Sequence, residues 1–342
     1  MNRWLVPCVF LCSSLFSVSS PLWAEEDKSN VDKAREALTK QEGDTDSAQQ
    51  LEEVFQAAEK NYSLIKQGKY SLSYSFDYSY FGDQRLDLDV VNGQFRNADI
   101  TPAASHTFTN SFSIDFGLLN NLTLNARIPL VVKYDTQSEI NNTDLGDVSV
   151  GLRWQPIPYT PGKISSTVFA SLKTRTGSSP YEIDLNKQLS TGSGYYALSG
   201  GVSLSKVLDP VVLFGSVNVG YGIPIDGLDQ VRGGALLLEV ESGYNASLSG
   251  GFAYSLSYDI SLSGSVQISY SAETDLTLLS AGQKFTSSSQ DQVSGVINFS
   301  IGTRVSETTI VNTNVGFGMT EDSPDIILGV SLPINIDGLK EQ

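Results

Sequence analysis

The chain has 342 residues, 22 basic against 38 acidic, a net charge of −16 and 10% aromatic residues. That acidic balance argues against nucleic-acid binding, which needs a basic surface. A single histidine, His106, removes triads and metal clusters built on several imidazoles, and both cysteines, Cys8 and Cys12, lie in the first 24 residues.

Residues 1–24 combine a basic start at Arg3, an apolar stretch from Trp4 to Val18 and Leu22-Trp23-Ala24 ahead of an acidic run. That is the layout of a secretory signal peptide cleaved after Ala24. Pro7, Pro21 and the serines at 17, 19 and 20 speak against an uncleaved membrane helix. Cleavage leaves 21 basic residues against 38 acidic ones, a net charge of −17, and no cysteine. No run of 18 or more apolar residues follows, so an exported chain that stays in a membrane must do so as a β-barrel.

Residues 25–68 have helical rather than alternating spacing. A short helix is expected from Val31 to Lys40; so short a helix is marginal alone, which makes a second copy of the chain, and hence a homo-oligomer, one expected partner. A second helix places Leu51, Val54, Phe55, Ala58, Tyr62 and Ile65 on one face, with Ser47 and Gln50 as a capping box and Gly68 as the stop. Two roles are open to it, a plug in a barrel lumen or a cap on the periplasmic side.

From residue 69 to 336 the pattern changes to period two. Tyr70 to Tyr80 reads Y-S-L-S-Y-S-F-D-Y-S-Y, with Ser71, Ser73, Ser75, Asp77 and Ser79 on the face opposite the aromatics. Eleven more alternating segments follow: 106–116, 122–134, 145–155, 164–175, 195–205, 211–221, 236–256 (with a break near Gly243), 260–270, 292–304, 308–317 and 326–336. Connections after even-numbered segments are short; those after segments one, three, five, seven and nine are long and polar, such as 81–105, 176–194 and 271–291. An eleven-residue strand tilted in a barrel covers roughly 28 Å of membrane normal. The expected fold is all-β, a twelve-stranded antiparallel outer-membrane barrel with both termini periplasmic, ending in a tail over 337–342. Its expected partners are outer-membrane lipid, the barrel-assembly machinery and a transported solute or polypeptide.

Parity puts Asn125, Arg127, Arg153, Lys173, Arg175, Asn218, Asn298, Arg304, Asn312 and Asn314 on the inner face, with Asp115, Glu239 and Glu241. Read as a group they form a hydrated pathway with a mainly basic belt; read singly they are the paired polar interior of any barrel. The Ser71 to Ser79 row is the expected wall against which a plug helix would rest. Phe169 and Phe214 break the inward polar rule. Asp144 and Asp147 read as turn formers more readily than as cation ligands. No CxxC, HExxH or phosphate loop is present, so neither a cofactor nor an enzyme activity is expected. An outer-membrane phospholipase would need Ser where His106-Thr107-Phe108 places Phe.

Two stretches resemble a known family. Asn110 to Leu124 with Ile128-Pro129-Leu130, and Thr143-Asp144-Leu145-Gly146-Asp147-Val148-Ser149-Val150-Gly151-Leu152-Arg153-Trp154, are similar to motifs of the meta-pathway phenol-degradation outer-membrane transporters. The overall layout also resembles the secretion channel of the Fap functional-amyloid system, without that channel's long heptad-rich coiled coil. The first resemblance implies a passive channel for small, hydrophobic or aromatic solutes; the second implies export of an unfolded polypeptide. A structural or adhesive barrel with a filled lumen is the third reading.

Overall fold

The computed structural model describes residues 64–334 apart from 92–93, 159, 161, 185–186, 233, 258 and 307–308, with backbone alone over 83–103 and at 232. The expected signal peptide, the first helix, most of the second and the tail over 337–342 lie outside the described residues.

Eighteen strands are formed among the described residues. They are β1 (Tyr70–Val91), β2 (Gln94–Leu119), β3 (Leu122–Asp135), β4 (Ile140–Leu145), β5 (Ser149–Trp154), β6 (Ser165–Lys173), β7 (Ala197–Leu208), β8 (Val211–Gly222) and β9 (Ile225–Asp226). The rest are β10 (Val231–Arg232), β11 (Ala235–Ser242), β12 (Tyr244–Ser255), β13 (Ile260–Ser271), β14 (Thr274–Ser280), β15 (Gln283–Ser288), β16 (Gln292–Ser306), β17 (Thr309–Gly318) and β18 (Ile326–Ile334). Twelve of them, β1, β2, β3, β5, β6, β7, β8, β12, β13, β16, β17 and β18, pair in a ring that β1 closes against β18. Every wall pairing is antiparallel. Closure leaves no strand edge within the wall, as a lipid environment requires.

Alternation sorts the two faces. On β2, Ser111 is 0% exposed and Phe112 is 49% exposed. Phe112, Ile128, Val217 and Phe299 belong to an apolar outer belt, the inverse of a soluble core. Near one rim, Tyr80, His106 and Tyr134 form a row across β1, β2 and β3, with ring centroids 5.3 and 6.1 Å apart. Aromatics at that level match an interfacial girdle.

The twelve predicted strands all appear, and the 236–256 segment is indeed two pieces, β11 and β12, parted at Gly243. Among the described residues, the long connections other than 176–194 differ from expectation because they carry strands of their own. β1 and β2 run on past the rim as a two-stranded ribbon in which Gly82 faces Ala104 and Val91 faces Gln94. The sequence held the signal: Leu86, Leu88 and Val90 alternate with Arg85, Asp87 and Asp89. β9, β10, β11, β14 and β15 make a second, five-stranded sheet at the same end. Its β14–β15 turn places Ala281 and Gly282 at φ of 50° and 80°, the left-handed pair that a tight hairpin demands.

Candidate functional site

The inner faces of the wall strands enclose a cavity of 690 Å³. Small inward side chains create it: twelve serines, five asparagines and Gln267 line it among the described residues. Asn125, Arg127, Arg153, Asn218, Asn298, Asn312 and Asn314 are all on its surface, as are Ser75 and Asp77 of the first strand. Ser71, Ser73 and Ser79 share that face of β1 by alternation.

Two large inward residues are accommodated by glycine. A Cβ on Gly201 would stand 2.6 Å from the Phe169 ring, and one on Gly251 would stand 2.8 Å from the Phe214 ring. Each ring therefore reaches over a neighbouring strand at its glycine. Phe214 is thereby 8% exposed and packs with Val212 and Ala253.

The cations do not form an open belt. Arg153 is 6% exposed and is paired with Asp115, which also accepts a hydrogen bond from Asn125. Arg127 donates to the Ser111 hydroxyl from Nε and Nη2 and projects into the cavity. Lys173 lies above the cavity, 3.8 Å from Asp147 and 5.1 Å from the Tyr195 ring centre. Arg175 is 3.9 Å from Glu182, an exposed pair of little energetic weight. Arg304, near the far end of β16, is at the level of Ile310 and outside the cavity lining. Arg153 and Lys173 thus stand beside carboxylates, one of them the Asp115 that parity places inward, while Arg127 is held by a hydroxyl.

Glu239 and Glu241 require a correction. They sit on β11 of the second sheet, exposed, while Leu237 and Val240 on the other side are 1% exposed. A register shift between Leu237 and Glu239 moves the glutamates off the inner phase that unbroken alternation assigned them. Leu237 and Val240 instead join Ile225 and Leu228 in an apolar cluster with Tyr181 and Tyr195. Burial among these groups, then the neighbouring Tyr195, pushes the Tyr181 hydroxyl above its usual pKa.

The segment joining β6 to β7 is strapped to the β4–β5 junction. Asp147 accepts hydrogen bonds from the Gly177 amide at 3.2 Å, the Ser193 amide at 2.7 Å and the Ser193 hydroxyl at 2.7 Å. Asp144 accepts from the Ser178 hydroxyl and the Leu145 amide. Thr191 donates to the Leu145 carbonyl at 2.8 Å. Gly177 and Gly192 pack backbone to backbone, where a Cβ on Gly177 would meet the Gly192 Cα at 2.7 Å. The two aspartates are loop anchors.

At the opposite end, the segment leading into β1 lies on the inner wall. The Ile65 amide donates to the Thr123 hydroxyl at 2.9 Å and the Gln67 amide donates to Asn120 at 3.2 Å. Thr123 shares the inward phase of Asn125 and Arg127 and is 0% exposed. The Ile65 and Lys66 carbonyls press on inward-facing Gly117, where a Cβ would collide with both. Ile65, expected on the helix face, is not helical: its amide bonds across to β3 instead of back along a helix. Gly68, the expected stop, has φ of 73°. Leu51, Val54, Phe55, Ala58 and Tyr62 lie outside the described residues.

No family model matches the chain. Among solved structures it is similar to the COG4313 outer membrane channel from Pseudomonas putida F1, at 12% identity and a TM-score of 0.58, over 80% of this chain and 97% of that one. The translocator domain of the autotransporter NalP from Neisseria meningitidis matches at 9% identity and TM-score 0.47, over 89% of this chain and 98% of that one. A mutant of the TodX monoaromatic hydrocarbon channel matches at 12% identity and TM-score 0.45, over 82% and 92%. The first likeness shows the fold, an outer-membrane β-barrel.

Proposed function

We propose that the protein is a passive outer-membrane channel for small solutes, partly blocked by its own N-terminal segment. The observation that carries this reading is the polar cavity inside a closed wall with an apolar exterior. A purely structural barrel would gain stability by filling that space with side chains, whereas serine at twelve lining positions keeps it open. The placement of residues 65–67 on the inner wall supports a plug over an external cap, because the described start of the chain already contacts Asn120 and inward-facing Thr123.

Apolar or aromatic cargo would have to rely on Phe169 and Phe214, and Phe214 offers almost no free surface. Hydrophilic cargo matches the lining better. Export of an unfolded polypeptide is the weaker reading, since the described segment from 176 to 196 is tied down across the β4–β5 junction.

Proteoliposomes carrying a variant without residues 25–63 test the proposal. Release of an entrapped small dye with retention of a large dextran is the expected result; retention of both contradicts a channel.

A further inference from the structure

The charges on the cavity surface, among the described residues, are confined to one third of the wall. Asp77, Asp115, Arg127 and Arg153 stand on the adjoining strands β1, β2, β3 and β5, two of each sign. The other eight wall strands present no ionised group to the cavity among the described residues. The described lining therefore carries no net charge.

A lining with no net charge offers an ion no surplus counter-charge against its lost hydration. Hydroxyls and amides, by contrast, both donate and accept. Ser171 with Ser199 and Ser216 with Ser249 pair across strands at 2.7 Å, each pair free to reverse its donor and acceptor. Solute hydroxyls have the same dual character. Beside these rows the Phe169 ring, half-buried over Gly201, supplies an apolar patch suited to the C–H face of a sugar ring. The cavity volume of 690 Å³ falls within the roughly 300–1,000 Å³ of small-molecule sites.

We infer that the lumen selects small, uncharged, polyhydroxylated solutes of monosaccharide to disaccharide size. This rests on the channel reading for its physiological meaning, but binding can be measured apart from conduction. The test is saturation-transfer NMR on the full-length chain with glucose, gluconate and glucosamine, three probes of similar size and different charge. Transfer to glucose should be severalfold stronger than to either charged analogue. It should vanish in Ser249→Trp, which fills the lumen, and in Ser265→Phe as a second variant should the first fail to fold. Absence of transfer to glucose, preference for gluconate or glucosamine, or a glucose signal that survives a folded lumen-filling variant overturns the inference. Glucose binding without any conductance would instead sink the channel reading and leave the binding class intact.

Discussion

The backbone amide of Ile65 hydrogen-bonds the hydroxyl of Thr123 inside the barrel, 58 positions away in the chain. Thr123→Val keeps the shape and removes the acceptor, leaving a half-buried amide without its hydroxyl at a cost of about 1 kcal/mol. Faster proteolysis near residues 60–69 with an unchanged barrel is the expected result. Protection equal to wild type would mean that the bond does not hold the segment.

Gly117 tests the same contact from the other side. Gly117→Ala puts a methyl into the Ile65 and Lys66 carbonyls, which are backbone and cannot swing away. Residues 65–67 should leave the wall, seen as increased amide hydrogen exchange at Gln67 and Gly68. Unchanged exchange would contradict the close approach.

The lipid-facing assignment is checked by position. Ile128→Arg, on an outward site that is 50% exposed, should cost about 2–4 kcal/mol if it sits near the bilayer midplane. Ser265→Arg, on the cavity surface, should cost far less. Equal losses in urea unfolding from bilayers would contradict the assignment of the two faces.

Arg153 and Asp115 form a buried pair in the wall. Asp115→Ala removes the carboxylate beside the guanidinium and should cost about 3–5 kcal/mol, while adding Arg153→Met should recover much of that loss. A double variant no more stable than the single would show that the guanidinium, deprived of its carboxylate, is not the source of the loss.

The loop anchor gives a functional readout. Asp147→Ala removes three hydrogen-bond acceptances from Gly177 and Ser193. The segment from 176 to 196 should become cleavable by added protease and current noise should rise. A loop as protected as in wild type would place its anchorage in Thr191 and Asp144 instead.

Alternation made the wall legible, because every wall residue has only two environments and Tyr70 to Tyr80 separates them without exception. It failed where the phase breaks. The shift between Leu237 and Glu239 turned two glutamates outward, and no local residue type announces it. Charge pairing was also hidden: Asp115 and Arg153 are 38 residues apart and meet only because β3 lies between β2 and β5. Gly201 under Phe169 and Gly117 under Lys66 belong to the same class, small residues whose reason is a neighbour distant in sequence. Asp147 stood inside a motif read from sequence, yet its role as a loop anchor needed Ser193 brought beside it.

Single-channel conductance in planar bilayers, full-length chain against a variant lacking residues 25–63, tests the central claim most directly. The account predicts small or intermittent currents from the full chain and a larger, steady conductance from the variant. Equal and negligible currents from both would contradict a channel gated by its N-terminal segment.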